Sequence, residues 1–140
     1  MRAKPITVVE VEHIAFALAQ RVMTWDEPFP AFQTRTPHAL ERCLAAPFAG
    51  HKGGQFYHGI AEKAAILFYL LIKNHPFLNG NKRIAVTSLF VFLSTNGKWV
   101  NADPKHLYAF AKWVAESDPK HKDQTVAAIE KYIKEHMVQQ

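Results

Sequence analysis

The strongest constraint on the fold lies mid-chain, where nine consecutive residues, Ala64 to Ile72, are all apolar. They belong to a longer stretch, about His58 to Lys73, that is apolar on nearly every side of a helix. Helices of this kind are buried inside a larger structure. A membrane-spanning helix needs about 20 apolar residues, so this run is too short to cross a bilayer. The sequence therefore predicts a buried central helix that ends before Pro76, since a proline disfavours helical backbone in the residue before it.

Other stretches on both sides have the spacing of amphipathic helices. Their expected starts and ends are a capping box at Thr7–Glu10, a start at Thr36–Pro37 stopped by Pro47, a helix from Asn81 to Asn96 closed by Gly97, and a start at Asp103–Pro104. The residues expected to face inward are Val11, Ile14, Ala15, Leu18 and Val22, then Leu40 and Leu44, then Leu107, Phe110, Ala111 and Val114, and finally Val126, Ile129, Ile133 and Met137 on the last helix.

Signals for β-strands are weak. Residues 24–35 contain two prolines and are expected to form a loop. Lys98 to Asn101 could form a short extended piece, and Gln55, Phe56 and Tyr57, which follow a glycine-rich stretch, could also be extended. With 140 residues the chain has the length of one domain. The prediction is an all-α, single-domain helical bundle of about six helices over residues 1–140, with a possible short flap.

The net charge of +5 is compatible with nucleic acid, an acidic protein or a phosphate-bearing molecule as the partner. The densest basic group lies near the end of the chain and is mixed with acidic residues, which is typical of a solvated helix face. No signature of a nucleic-acid-binding motif is present, so we expect no direct nucleic-acid partner. Cys43 is the single cysteine, and no apolar signal segment follows Met1. A cytoplasmic protein without a membrane anchor is expected.

The chemistry is concentrated in residues 75–83, which join the two most apolar helices. His75 offers an imidazole that can accept a proton from a hydroxyl near neutral pH. Gly80 permits close backbone approach, and Asn81 can cap the following helix, whose first amides form a natural phosphate site. Lys82 and Arg83 place two cations at the positive end of that helix, which is unfavourable unless an anion binds there. This combination favours phosphoryl-type transfer.

The same segment closely resembles the signature of the Fic/Doc family, H-P-F-x-[D/E]-G-N-[G/K]-R. The matching residues are His75, Pro76, Phe77, Gly80, Asn81, Lys82 and Arg83. The resemblance implies a helical Fic/Doc domain in which His75 is the base that takes the proton from a target hydroxyl. It also implies that Gly80, Asn81, Lys82 and Arg83 hold the phosphates of ATP, with Lys73 adding charge, and that Phe77 is a structural anchor.

Two positions bear on the activity that the resemblance implies. Lys82 stands where typical Fic proteins have glycine and is similar to the Doc toxins, whose members transfer the γ-phosphoryl group of ATP to a protein such as translation elongation factor Tu. Fic proteins proper transfer AMP instead, and this alternative stays open. The acidic residue that binds Mg²⁺ in the family is Asn79 here, so metal binding is expected to be weaker. A degenerate module that binds nucleotide without catalysis is therefore a further alternative.

Two partner sites are also implied by the resemblance. Gln55, Phe56 and Tyr57 fall where the family has a target-docking flap. The inhibitory pattern of self-silencing Fic proteins, S/T-x-x-x-E-G/N, is not found in the sequence. Inhibition is therefore expected from a separate antitoxin protein with a disordered segment that folds onto the toxin.

Overall fold

The computed structural model describes residues 2–25 and 28–140. Within them six helices and four short strands follow one another. The first helix, α1, consists of an α-helical turn Val8–Glu10, a π-helical segment Val11–Phe16 and an α-helical segment Ala17–Val22. The others are α2 (Ala39–Ala45), α3 (Ile60–Lys73), α4 (Asn81–Thr95), α5 (Pro104–Glu116) and α6 (Lys122–His136), with strands β1 (Gly50–His51), β2 (Gly54–Gln55), β3 (Lys98–Val100) and β4 (Met137–Gln139).

The predicted central helix is α3. It packs against α2, α4, α5 and α6, and most of its side chains are buried. Helix α4 is buried along almost its whole length beside it. The two helices thus form the middle of a mostly α-helical bundle, and the predicted fold class is confirmed. None of the described helices combines the length and the apolar character that a transmembrane segment requires.

Several predicted boundaries are confirmed. Thr7 and Glu10 form the capping box, with the Thr7 side chain accepting from the Glu10 amide at 3.1 Å. The Asp103 side chain caps α5 by accepting from the amide of Lys105 at 2.7 Å. Gly97 follows α4 with a φ of 75°, a backbone conformation that glycine adopts readily. Residues 26 and 27 of the predicted loop lie outside the described residues, and Phe32–Thr34 in the same loop form one 3₁₀ turn.

The inward face predicted for α1 is wrong in part. Ile14 and Val22 are 49% and 52% exposed, whereas Phe16 and Met23 are buried. The cause is the π-helical segment, since its wider turn rotates the buried face away from the 3.6-residue period that the prediction assumed. The start of α2 also differs. The amide of Thr36 donates to the carbonyl of Pro76 at 2.8 Å, and the helix begins only at Ala39.

The end of the chain contains a strand that the sequence did not reveal. Met137 was expected on the last helix but is the first residue of β4, which pairs antiparallel with β3. In this pair Lys98 lies opposite Gln139 and Val100 opposite Met137. A second small antiparallel pair, β1 and β2, precedes α3. Both pairs lie at the same end of α3 and α4, opposite the turn that joins these two helices.

Candidate functional site

The turn between α3 and α4 is held in an unusual backbone conformation. Helix α3 ends at Lys73 and α4 begins at Asn81, with Gly80 as its N-cap residue. His75 has a φ of 45° and Gly80 a φ of 77°, so both adopt the left-handed region. This conformation is ordinary for glycine but costs about 1–2 kcal/mol for other residues. Strain of this kind is common at functional sites, where the surrounding structure maintains it.

Asn81 holds the turn together with its side chain. Its Oδ1 accepts a hydrogen bond from the Phe77 amide at 2.9 Å, and its Nδ2 donates to the Phe77 carbonyl at 3.0 Å. The expectation that Asn81 caps α4 is therefore wrong. The N-cap is Gly80, and the amide group of Asn81 points back across the turn, where it pairs both polar groups of a buried residue.

Phe77 anchors the turn in the core, as predicted. It is 3% exposed, and its ring lies 5.9 Å from that of Phe16 and 5.6 Å from that of Phe32, measured between ring centroids. Phe16 belongs to the π-helical segment of α1, so the irregular first helix contributes directly to the aromatic packing around Phe77. The backbone on either side of Phe77 is thus fixed by aromatic packing from one direction and by Asn81 from the other.

Arg83 is buried rather than presented to solvent. It is 2% exposed, and its Nη1 donates to the carbonyls of Met23 at 3.3 Å and Trp25 at 3.0 Å. Its guanidinium carbon lies 4.0 Å from the ring centroid of Phe29. The same ring comes close to Gly80, where an added Cβ would lie 2.7 Å from a ring carbon. Gly80 is therefore required both for its backbone conformation and for the space that Phe29 occupies.

A cavity of about 280 Å³ opens beside the turn. Its lining consists of Ile72, His75, Leu78, Asn79, Gly80, Asn81, Lys82, Arg83 and Ala115. Six of the predicted site residues, Asn79 among them, thus share one cavity. The lining described here carries two formal cations and no carboxylate, so its charge favours an anion. The volume lies near the lower end of ligand pockets, roughly 300–1,000 Å³, and suits a phosphate chain better than a whole nucleotide.

His75 and Lys82 are the lining side chains best placed for chemistry. His75 is exposed, and Lys82 is half-buried on the first turn of α4. Within residues 2–25 and 28–140, neither side chain makes a hydrogen bond or an ion pair. Leu78 is 72% exposed at the same cavity. Leu78 was not predicted as a site residue. The one available signal is that it is an apolar residue at the unspecified position x of the motif, directly after Phe77.

Lys73 takes a different place from the one predicted. Its Nζ donates to the carbonyl of Ser117 at 2.6 Å and to that of Ala115 at 3.3 Å. Ala115 lies in the last turn of α5 and Ser117 is its C-cap residue. A cation at this end of a helix also interacts favourably with the helix dipole. Lys73 is not among the residues that line the cavity. The structure therefore gives it the role of tying the end of α5 to the end of α3, beside Ala115.

The predicted flap lies away from the cavity. Gln55 is in β2, and its Oε1 accepts a hydrogen bond from Nζ of Lys63 at 2.7 Å. Lys63 is in the first turn of α3, and His75 follows the last turn. At 1.5 Å per residue, the ten residues from Lys63 to Lys73 span about 15 Å. The structure thus does not bring Gln55, Phe56 and Tyr57 to the turn. Phe56 is 53% exposed at that distant end.

The metal prediction rests on Asn79 alone among the described lining residues. Mg²⁺ is normally held by one or two carboxylates together with substrate phosphates. No group of three or more histidine, cysteine, aspartate or glutamate side chains that could hold a metal occurs among residues 2–25 and 28–140. The described residues therefore do not fit a magnesium site of the protein's own. A magnesium ion that arrives with ATP would depend on the phosphates for its ligands.

Comparisons with known proteins found a family and a relative to which this chain is similar. Residues 5–93 match the model of a family described as "Fic/DOC family", and this range contains α1 to α3, the turn and most of α4. The chain is also similar to "Toxin Doc" of Mycolicibacterium smegmatis, with 38% identity over 64 residues, or 46% of this chain and 49% of that protein. The matched part thus spans about half the length of this relative. No solved structure matches the chain significantly.

Proposed function

Because the chain belongs to the Fic/DOC family, we propose that it is a Doc-like toxin that transfers the γ-phosphoryl group of ATP to a serine or threonine hydroxyl of a protein. One observation carries the proposal: His75 and the residues from Gly80 to Arg83 line the same cavity at the start of α4. A base and an anion site are thereby adjacent. Phosphoryl transfer depends mainly on positioning and charge stabilisation, which such an arrangement supplies.

The proposed step uses His75 as general base. Its imidazole takes the proton of the target hydroxyl while the hydroxyl oxygen forms a bond to the γ-phosphorus. The bond between that phosphorus and the oxygen bridging to the β-phosphate breaks, and ADP leaves. Lys82 and the first amides of α4 face the negative charge on the phosphates. The buried guanidinium of Arg83 adds positive potential while it holds residues 23–25 against the turn.

The size of the cavity indicates which part of the nucleotide it would hold. About 280 Å³ accommodates the phosphates, so the ribose and base of ATP would lie outside this cavity. Leu78 is exposed at the cavity and offers an apolar contact to the target or to the nucleotide. Lys82, by its resemblance to Doc toxins, favours transfer of the γ-phosphoryl group. If ATP binds in the opposite direction, the same base and the same anion site would support transfer of AMP to the target, which is the alternative activity.

A module that binds nucleotide without catalysis is favoured by one observation, namely that Asn79 supplies an uncharged amide where Mg²⁺ prefers a carboxylate. The variant Asn79→Asp separates the two possibilities. A large gain of transfer would favour a decayed site. Unchanged transfer would mean that the amide suffices, with the ion held by the phosphates of ATP.

The remaining parts of the proposal concern partners and compartment. Translation elongation factor Tu is the proposed target, a separate antitoxin the proposed inhibitor, and the cytoplasm the proposed location. These follow from the likeness to Doc toxins and from the single buried cysteine, Cys43, which is typical of reducing compartments.

The test is an assay with labelled ATP. The protein is incubated with elongation factor Tu and either γ- or α-labelled ATP. γ-Label on the target is expected, whereas α-label would indicate AMP transfer instead. His75→Ala should abolish transfer, and His106→Ala, at an exposed histidine on α5, should leave it intact. Full transfer by a folded His75→Ala protein would refute the assigned base.

A further inference from the structure

A second cavity lies at the opposite end of α3 from the turn. Its volume is about 760 Å³, within the usual range for ligand sites. Five parts of the chain form its walls: the residues before α1, the 3₁₀ turn at Phe48, strand β2 with the start of α3, the end of α4 with β3, and β4. Gly59, at the start of α3, is separated from Lys73 by 14 residues, or roughly 20 Å. The cavity is therefore separate from the proposed catalytic site.

The charge of this cavity has one sign. Arg2, Lys63 and Lys98 line it, together with His58, and none of its described lining residues is acidic. Gly59 and Ile60 contribute the beginning of α3, where the helix dipole is positive. The nearby Glu62 is not part of the lining, and its Oε2 accepts a hydrogen bond from the His58 amide at 3.2 Å. The cavity thus concentrates positive potential in a concave space.

Lys63 is the least ordinary member of this group. It is 2% exposed, and its ammonium donates to the carbonyl of Pro47 at 3.3 Å, to Oε1 of Gln55 at 2.7 Å and to the carbonyl of Tyr57. All of these acceptors are neutral. Among residues 2–25 and 28–140, no carboxylate oxygen lies within 4.0 Å of the ammonium, although buried charges are normally paired. Burial accordingly lowers the pKa of Lys63.

We propose that this cavity is a second ligand site, which binds a small phosphate-bearing molecule between Arg2, Lys98 and the buried charge of Lys63. Because the donors of Lys63 are already used, it contributes long-range attraction, while Arg2 and Lys98 provide direct contacts. Phe48 and Ile60 supply apolar wall for the organic part of the ligand. The concave shape favours a small molecule over the backbone of a nucleic acid, which would need an open basic surface.

The two sites can be observed separately, since different glycines mark them. Gly59 and Gly97 line the second cavity, and Gly80 lines the cavity at the turn. Inorganic pyrophosphate is titrated into ¹⁵N-labelled protein while the amide signals are followed by NMR. Saturable shifts of Gly59 and Gly97 are expected. Arg2→Gln and Lys98→Gln should each weaken this binding about tenfold, the effect of one lost charge-assisted contact, without changing the response of Gly80.

Lys112→Gln is the matched control, because Lys112 is exposed on α5 and lines neither cavity. Shifts confined to Gly80 would overturn the proposal, as would equal weakening by Lys112→Gln and Lys98→Gln. The proposal would also be overturned if pyrophosphate caused no shifts while a DNA duplex bound and Lys98→Gln weakened that binding. Because the readout is binding at Gly59 and Gly97, its result does not depend on whether His75 acts as a base.

Discussion

Replacing His75 by glycine is expected to give a more stable protein than replacing it by alanine, although both changes remove the proposed base. His75 has a φ of 45°, and its side chain is exposed. Either substitution therefore loses little packing. Alanine retains the steric penalty of the left-handed conformation, whereas glycine relieves it.

The expected size of the difference follows from two opposing terms. Relief of the left-handed conformation contributes about 1–2 kcal/mol in favour of glycine. The greater freedom of glycine in the unfolded chain subtracts about 0.4–1 kcal/mol. With the middle of each range, the net gain is about 0.8 kcal/mol relative to His75→Ala. For a domain of this size that corresponds to an increase in melting temperature of roughly 2–4 °C.

Urea and thermal unfolding of both variants measure this difference, and two controls define its meaning. His38 also has a positive φ, of 64°, so His38→Gly should be more stable than His38→Ala by a similar amount. Leu78 is 72% exposed in the same turn and is not among the residues with positive φ, so Leu78→Gly should be less stable than Leu78→Ala. Equal stability of His75→Gly and His75→Ala, with His38 behaving as expected, would refute the strain assigned to the turn.

Three further predictions concern the support of the turn and the core. Phe77→Ala should lower the free energy of unfolding by about 3–5 kcal/mol, as for other buried phenylalanines; an unchanged urea midpoint would contradict its buried position. Asn81→Ala should lower it by about 2–4 kcal/mol, because both polar groups of the Phe77 backbone lose their partners; a normal midpoint would show that water replaces the side chain. Burial raises the pKa of the Cys43 thiol from 9.0 to about 11. Since the folded pKa lies above the unfolded one, wild type should lose stability as pH rises from about 9 to about 11, and Cys43→Ala should lose less. Parallel pH curves for the two proteins would argue against this shift.

Much of the fold could be predicted because the relevant signals are local. The apolar stretch that forms α3, the proline and glycine that follow α3 and α4, and the capping residues Thr7 and Asp103 act within a few residues. Such patterns indicate from the sequence alone where a helix begins, where it ends and which side is apolar. The bundle and its middle pair of helices therefore follow from the sequence.

The features that escaped prediction depend on distant contacts. Strand β4 exists because residues 137–139 pair with residues 98–100, about 40 positions earlier, and its own sequence has no strong strand pattern. The π-helical segment of α1 turns Phe16 toward Phe77 and leaves Ile14 exposed. A search for a 3.6-residue period cannot detect such a change of phase. The burial of Lys63 likewise depends on three carbonyl groups that accept hydrogen bonds from its ammonium and that come together only in the folded chain.

At the turn, too, the sequence indicated the residue types but not the contacts that each residue makes. The motif indicated residues that line one cavity, but not which of them hold the turn and which are open to a ligand. Asn81 binds the backbone of Phe77, and Arg83 binds carbonyls about 60 positions earlier in the chain, so a change at either residue disturbs the geometry of the cavity. Loss of activity in their variants would therefore not identify a phosphate contact. The side chain of Lys82 has no such structural partner among the described residues, so its removal reports most directly on the proposed phosphate binding.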